Sequence, residues 1–123
     1  MTVYVDDTRL RLGNMIMCHM WSESLDELLA MADRIGVQRK WIQGHPTLSH
    51  GKHRNVAWVH FDISLSKKEK ALRYGAVLTD RYGPVEYTAR LDANSDDPKR
   101  RRKGKKMLAA VEQARERRAR EAA

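Results

Sequence analysis

At 123 residues the chain has room for one domain and not two, and its 41% hydrophobic and 33% charged residues place it on the polar side of the globular average. The net charge of +8 is unevenly spread: residues 1–93 carry 13 Lys and Arg against 11 Asp and Glu, whereas residues 94–123 carry 11 against 5. A lone cysteine (Cys18) excludes an intramolecular disulfide, no apolar run approaches the roughly 20 residues that cross a bilayer, and no charged-then-apolar leader opens the chain, so a cytoplasmic protein with no membrane partner is expected.

Val3-Tyr4-Val5 reads as a first strand ended by Asp6-Asp7. Met15 to Trp21 reads as a second, with Met15, Met17, His19 and Trp21 on one face and Ile16, Cys18 and Met20 on the other. Ser24 followed by Glu27 has the spacing of a capping box. Leu25, Leu28, Leu29, Ala32 and Ile35 then recur at helical spacing up to Gly36, which predicts a helix over 25–35. Lys40 to Gln43 is predicted as a short strand and residues 44–55 as a loop. Val56 to Ile63 reads as a buried strand and Ser64 to Gly75 as a second helix, with Ser66 and Glu69 as its capping pair. Ala76-Val77-Leu78 closes a strand–helix–strand unit. If its strands are neighbours, they are parallel and the crossover is right-handed.

The expected fold is α/β: a small mixed sheet of about four to five strands with two packed helices over residues 1–93, followed by a basic extension, helical or disordered, over 94–123. Within the extension, residues 94–98 have the composition of a linker, and Lys99, Arg100, Arg101, Arg102, Lys103, Lys105 and Lys106 are interrupted only by Gly104. Residues 107–123 favour helix, with a thin apolar stripe of Met107, Leu108 and Val111. Such a cation run releases counterions when it meets phosphates, so nucleic acid, DNA or RNA, is the expected partner. A solvated tail is the blander alternative.

A second signal lies at the strand ends. Asp7 after the first strand and Asp62 on the strand from Val56 are carboxylates that two parallel strands bring to one edge, and strand alternation lets only one of Asp6 and Asp7 face inward. Trp58, His60 and Asp62 share a face, as do His19 and Trp21. Asp7, His19, His60 and Asp62 are therefore the candidate catalytic residues, with Asp7 and Asp62 as ligands for Mg²⁺ or Mn²⁺. Lys67 and Lys68 at the start of the second helix are candidate phosphate contacts. His45, His50 and His53 fit no standard zinc-finger spacing. Cys18 reads as a small buried hydrophobe.

The opening VYVDD, the strand ending in His19, the helix SLDELLAMADRIGV, WIQ at 41–43, and HFDIS through YGAV at 60–77 together resemble an uncharacterised family of short bacterial and phage proteins. That family's usual His-Tyr-Asp stands here as His60-Phe61-Asp62. The resemblance spans roughly residues 2–79, implies a bacterial or phage cytoplasmic setting and carries no assigned activity; the basic extension lies outside it. Three functions follow as expectations: non-specific polyanion binding through the extension, a metal-dependent phosphodiesterase or nuclease-like hydrolase, and a phage protein that binds a host protein.

Overall fold

In a computed structural model, which describes residues 2–123, the β-branched Val3 and Val5 anchor strand β1 (Val3–Val5) in a core, while Tyr4 between them faces the opposite way. Strand β2 (Leu10–Leu12) and the long strand β3 (Met15–Ser22) follow. Met20 pairs with Val5 on one side and Phe61 on the other, and Met17 likewise with Leu10 and Ser64. β1 and β2 therefore lie end to end along one edge of β3, and strand β4 (Phe61–Ser64) lies along the other. Asp6 to Arg9 stand opposite Cys18 and His19, a bulge that interrupts the β1–β2 line. Strand β5 (Val77–Leu78) pairs in parallel with the outer edge of β1, which makes the five-stranded sheet mixed.

Helix α1 (Leu25–Ile35) begins and ends where its signals lie: Ser24 Oγ accepts from the Glu27 amide, and Gly36 closes the helix. Leu28, Ala32 and Ile35 bury against the sheet face formed by Val5, Cys18, Met20, Phe61 and Ile63. Complete burial of such side chains contributes roughly 1.5–3 kcal/mol each, enough to hold short strands that would not persist alone. Helix α2 (Leu65–Arg73) starts two residues before the expected capping pair, because Ser64 Oγ accepts from the Lys67 amide and Ser66 only contacts the Ser64 hydroxyl.

Two expectations are corrected, and one condition left open is decided. Residues 39–41 form a 3₁₀ turn, and only Gln43 reaches the sheet, through a bridge to His60; Ile42 is held by burial in the core rather than by strand pairing. The strand expected from Val56 starts at Phe61, with the Trp58 ring stacked on His60 at 4.1 Å ahead of it. β4 and β5 are not neighbours: β3 and β1 lie between them.

The chain divides into two compact units, one ending at Asp80 and one spanning Arg81–Ala123. The second unit is a helical hairpin of α3 (Gly83–Ala93) and α4 (Pro98–Ala122), so the boundary falls before a helix that the sequence reading left unassigned. The segment read as a linker is its turn, in which Asp97 caps α4 by accepting from the Lys99 amide and Pro98 takes the first helical position. The basic run lies inside α4. It is accommodated because Lys and Arg are good helix formers and Arg100 pairs with Asp92 at 2.9 Å. Gly104 faces α3 so closely that a Cβ there would lie 2.6 Å from the Ala89 carbonyl oxygen. No described helix is long and apolar enough to cross a membrane.

Candidate metal centre

The face of the sheet opposite the core carries the polar residues. On β3, residues 18 and 20 are committed to the core, so His19 and Trp21 emerge on the other side. His19 is in register with Asp62 of β4, and His60 lies two residues before Asp62 on the same face. Across β3, the bulge brings Asp6 back against His19: the His19 amide donates to Asp6 Oδ1 at 2.8 Å, and the Asp6 amide donates to the His19 carbonyl at 3.2 Å. Asp6, His19 and Asp62 thus form one row across three strands.

His19, His60 and Asp62 each have one polar atom tied down and one directed at a common point, while Asp6 uses both oxygens to hold His19 and Thr8. Asp6 Oδ2 lies 2.8 Å from His19 Nδ1 and also accepts from Thr8 Oγ1 at 2.5 Å. Asp6 is fully buried. Burial disfavours its charge, yet hydrogen bonds from the His19 ring, Thr8 and the His19 amide outweigh that cost and hold its carboxyl below the ordinary carboxylate range. An ionised Asp6 makes His19 Nδ1 the donor and leaves Nε2 of the neutral ring with its lone pair outward. His60 repeats the arrangement: its Nδ1 lies 3.1 Å from the Trp58 carbonyl, which only accepts, so Nε2 again carries the lone pair. Asp62 Oδ2 accepts from Gln43 Nε2 at 2.9 Å.

The three remaining atoms converge. His60 Nε2 is 3.3 Å and His19 Nε2 is 3.9 Å from Asp62 Oδ1, and all three lie within 4.8 Å of one another. Asp62 Oδ1 is buried and has no hydrogen-bond partner among the described residues; His60 Nε2 lies close to it, and that contact is an ion pair only when the ring is protonated. Burial works against the Asp62 charge, while His60, Gln43 and the charge of His19 outweigh it and lower its pKa. For His19, burial disfavours the imidazolium, but the Asp6 hydrogen bond and the charges of Asp6 and Asp62 prevail and raise its pKa above the ordinary value. Two imidazoles and one carboxylate, each oriented through its other polar atom, are a donor set that could hold one transition-metal ion. Trp58, stacked on His60 and 5.6 Å from the His19 ring centroid, walls the cluster.

Of the candidate site residues, His19, His60 and Asp62 come together and Asp7 does not. Asp7 extends to solvent, its side chain 65% exposed, with Lys68 Nζ 3.4 Å from its carboxylate. Asp6 takes the inward place. The signal for this was present: Val3 and Val5 are core residues, so their alternates Tyr4 and Asp6 share the other face, where Tyr4 stacks on Trp21. Gln43 was missed because its segment was read as a strand. Its position depends on Gly44, whose φ of 80° and contact with Trp58 exclude any side chain: a Cβ would sit 2.0 Å from the Trp58 carbonyl oxygen. Lys67 and Lys68 are engaged within the fold, Lys68 by Asp7 and Lys67 with its amine beside Gly36 at the end of α1. Lys99, Arg100, Arg101, Arg102, Lys103, Lys105 and Lys106 all lie on α4, where Arg100 binds Asp92 and Arg101 donates to the Ser95 carbonyl. Cys18 is buried, which pushes its thiol up to about 12.

Asp62 and Gln43 also line a cavity of about 700 Å³. Its walls are Leu12, Met15, Met17, Val37, Trp41 and Val56, and Lys52 and His53 add polar groups.

No match was found among curated proteins or among solved structures. One family matches residues 3–91, a span that holds Asp6, His19, Gln43, His60 and Asp62 and stops before α4. On that match, the chain belongs to the family described as Protein of unknown function (DUF4031).

Proposed function

We propose that the first unit is a metal-dependent hydrolase domain that holds one divalent transition-metal ion on His19 Nε2, His60 Nε2 and Asp62 Oδ1 and acts on a phosphate ester. The observation that carries this reading is the convergence of three potential ligand atoms, one of them a buried carboxylate oxygen without a hydrogen-bond partner among the described residues. Ligand atoms about 2.1 Å from a tetrahedral ion stand about 3.4 Å apart; the His60–Asp62 distance of 3.3 Å already matches, the His19–Asp62 distance of 3.9 Å is longer, and the three atoms, within 4.8 Å of one another, would draw together around an ion. Two imidazoles shift the preference from Mg²⁺ toward Mn²⁺, Fe²⁺, Co²⁺ or Zn²⁺. An ion held by three protein ligands keeps positions for water and for an ester oxygen, and it lowers the pKa of bound water toward about 7. The ion that His19, His60 and Asp62 would hold would thus supply a water-derived nucleophile for phosphorus, and the displaced ester oxygen would leave as the alcohol after taking a proton from solvent. The test is hydrolysis of bis(4-nitrophenyl) phosphate by protein stripped with chelator and reloaded with Mn²⁺ or Zn²⁺. Turnover that returns with metal and is lost in Asp62→Ala supports the reading; turnover indifferent to both contradicts it.

A second reading concerns α4. Lys99, Arg102, Lys103 and Lys106 are exposed and share one side of a continuous helix, opposite Gly104 and Val111. This stripe suits non-specific polyanion binding, which would bring a nucleic acid to the same chain. Replacing those four residues by Gln is expected to abolish duplex DNA and RNA binding measured by fluorescence anisotropy at low salt. Unchanged binding would remove the helix from consideration. A lone cysteine that is buried and free of any disulfide is in keeping with a cytoplasmic location.

A further inference from the structure

The cavity beside Asp62 is not explained by the metal ligands alone. Its volume of about 700 Å³ is that of a small-molecule pocket. Its rim holds large apolar side chains that water reaches, Leu12 at 64%, Met15 at 51% and Trp41 at 52% exposure, although the core of the same unit buries residues of the same type completely. Lys40 Nζ lies over the Trp41 ring at 5.0 Å from its centroid, a cation–π contact at the indole. Polar groups are few: Asp62 and Gln43 from the candidate metal centre, and Lys52 and His53 elsewhere in the lining. A groove for a nucleic-acid strand would need a track of cations along its rim, whereas the cation in this lining is Lys52.

Building on the metal-centre reading, we infer that the cavity binds a small phosphate ester with an apolar, aromatic body: the body packs on Trp41, Met15 and Met17, and the anionic head lies between the metal ion and Lys52. The flexible thioethers of Met15 and Met17 suit a ring edge, and Trp41 supplies a flat face. The cavity thereby selects the organic part of the substrate, and the metal centre engages its head.

Phenylphosphonate carries both parts without a hydrolysable ester, and methylphosphonate carries the head alone. Calorimetric titration of the full chain, with and without Zn²⁺, is expected to show phenylphosphonate binding at least about tenfold more tightly than methylphosphonate, since a buried ring contributes more than 1.4 kcal/mol. Trp41→Ala should erase that difference and Lys52→Ala should weaken both ligands, with Zn²⁺ affinity unchanged in each variant. If the chain binds Zn²⁺ but treats the two phosphonates alike, or if Trp41→Ala leaves their ratio intact, the cavity assignment is overturned and the metal centre stands. If the chain binds no Zn²⁺ but keeps a Trp41-dependent preference for phenylphosphonate, the cavity assignment stands and the metal reading falls.

Discussion

Asp6 and Asp62 approach His19 from opposite edges of one strand: Asp6 Oδ2 meets the Nδ1 side of the ring at 2.8 Å, and Asp62 Oδ1 faces Nε2 at 3.9 Å. The two carboxylates therefore have different roles. Asp6 is spent on orienting the ring, together with Thr8, and Asp62 keeps an oxygen directed at the cluster.

That difference separates two adjacent residues. Asp6→Asn removes the charge that fixes the His19 tautomer and should weaken metal binding by about 10–100-fold, the usual effect of losing a residue that orients a ligand. Asp7→Asn should leave metal affinity within about twofold, since Asp7 is exposed and, among the described residues, pairs only with Lys68 across a solvated contact. Competition titrations against a chromogenic chelator measure both.

In the metal-free chain, the same pair makes stability depend on pH from two sides. The depressed pKa of Asp6 gives a contribution present above its ordinary value of 3.8 and lost as pH falls through its folded value. The raised pKa of His19 gives a contribution present below 6.5 and lost as pH rises through its folded value. Urea midpoints measured in chelator should therefore decline as the solution is taken from about pH 6 into the alkaline range, and His19→Gln should flatten that decline.

Gly44 links the covering segment to the site, because the Gln43 amide donates to the His60 carbonyl and the His60 amide donates to that of Gln43. Gly44→Ala places a methyl against the Trp58 carbonyl at a positive φ. The expected result is a loss of about 1–3 kcal/mol of stability together with weaker metal binding, read from the thermal melt and the metal titration of one variant.

Gly104 gives the matching experiment in the second unit. Gly104→Val forces α3 and α4 apart at Ala89 and Ala93, and melting of the helical hairpin should shift downward by about 1–3 kcal/mol equivalent. Metal affinity should not change, because every ligand lies in the first unit.

Much of the scaffold was legible in the residues. Helix α1 had its cap, its apolar stripe and its terminal glycine in sequence, and β1 and β3 showed their alternation. The same alternation placed His60 with Asp62 and His19 with Trp21 on their faces. What it could not supply was register across strands: the β3–β4 pairing sets His19 against Asp62 and joins two separate polar pairs, and the bulge at Asp6 to Arg9 brings Asp6 onto His19. The choice of Asp7 over Asp6 neglected the parity set by Val3 and Val5. α3 escaped notice because its apolar positions are sparse; of the two forms expected for the basic extension the helical one is present as α4, and Gly104, the only uncharged residue in the cation run, is a point of contact between the helices.

Cobalt titration followed by visible absorption tests the central claim most directly, since Co²⁺ reports both stoichiometry and ligand field. One ion per chain, with the absorption bands lost in His60→Ala and in Asp62→Ala while the circular dichroism of both variants remains that of the folded protein, is the predicted result. Absence of binding, or binding undiminished in both variants, would contradict a metal centre on His19, His60 and Asp62.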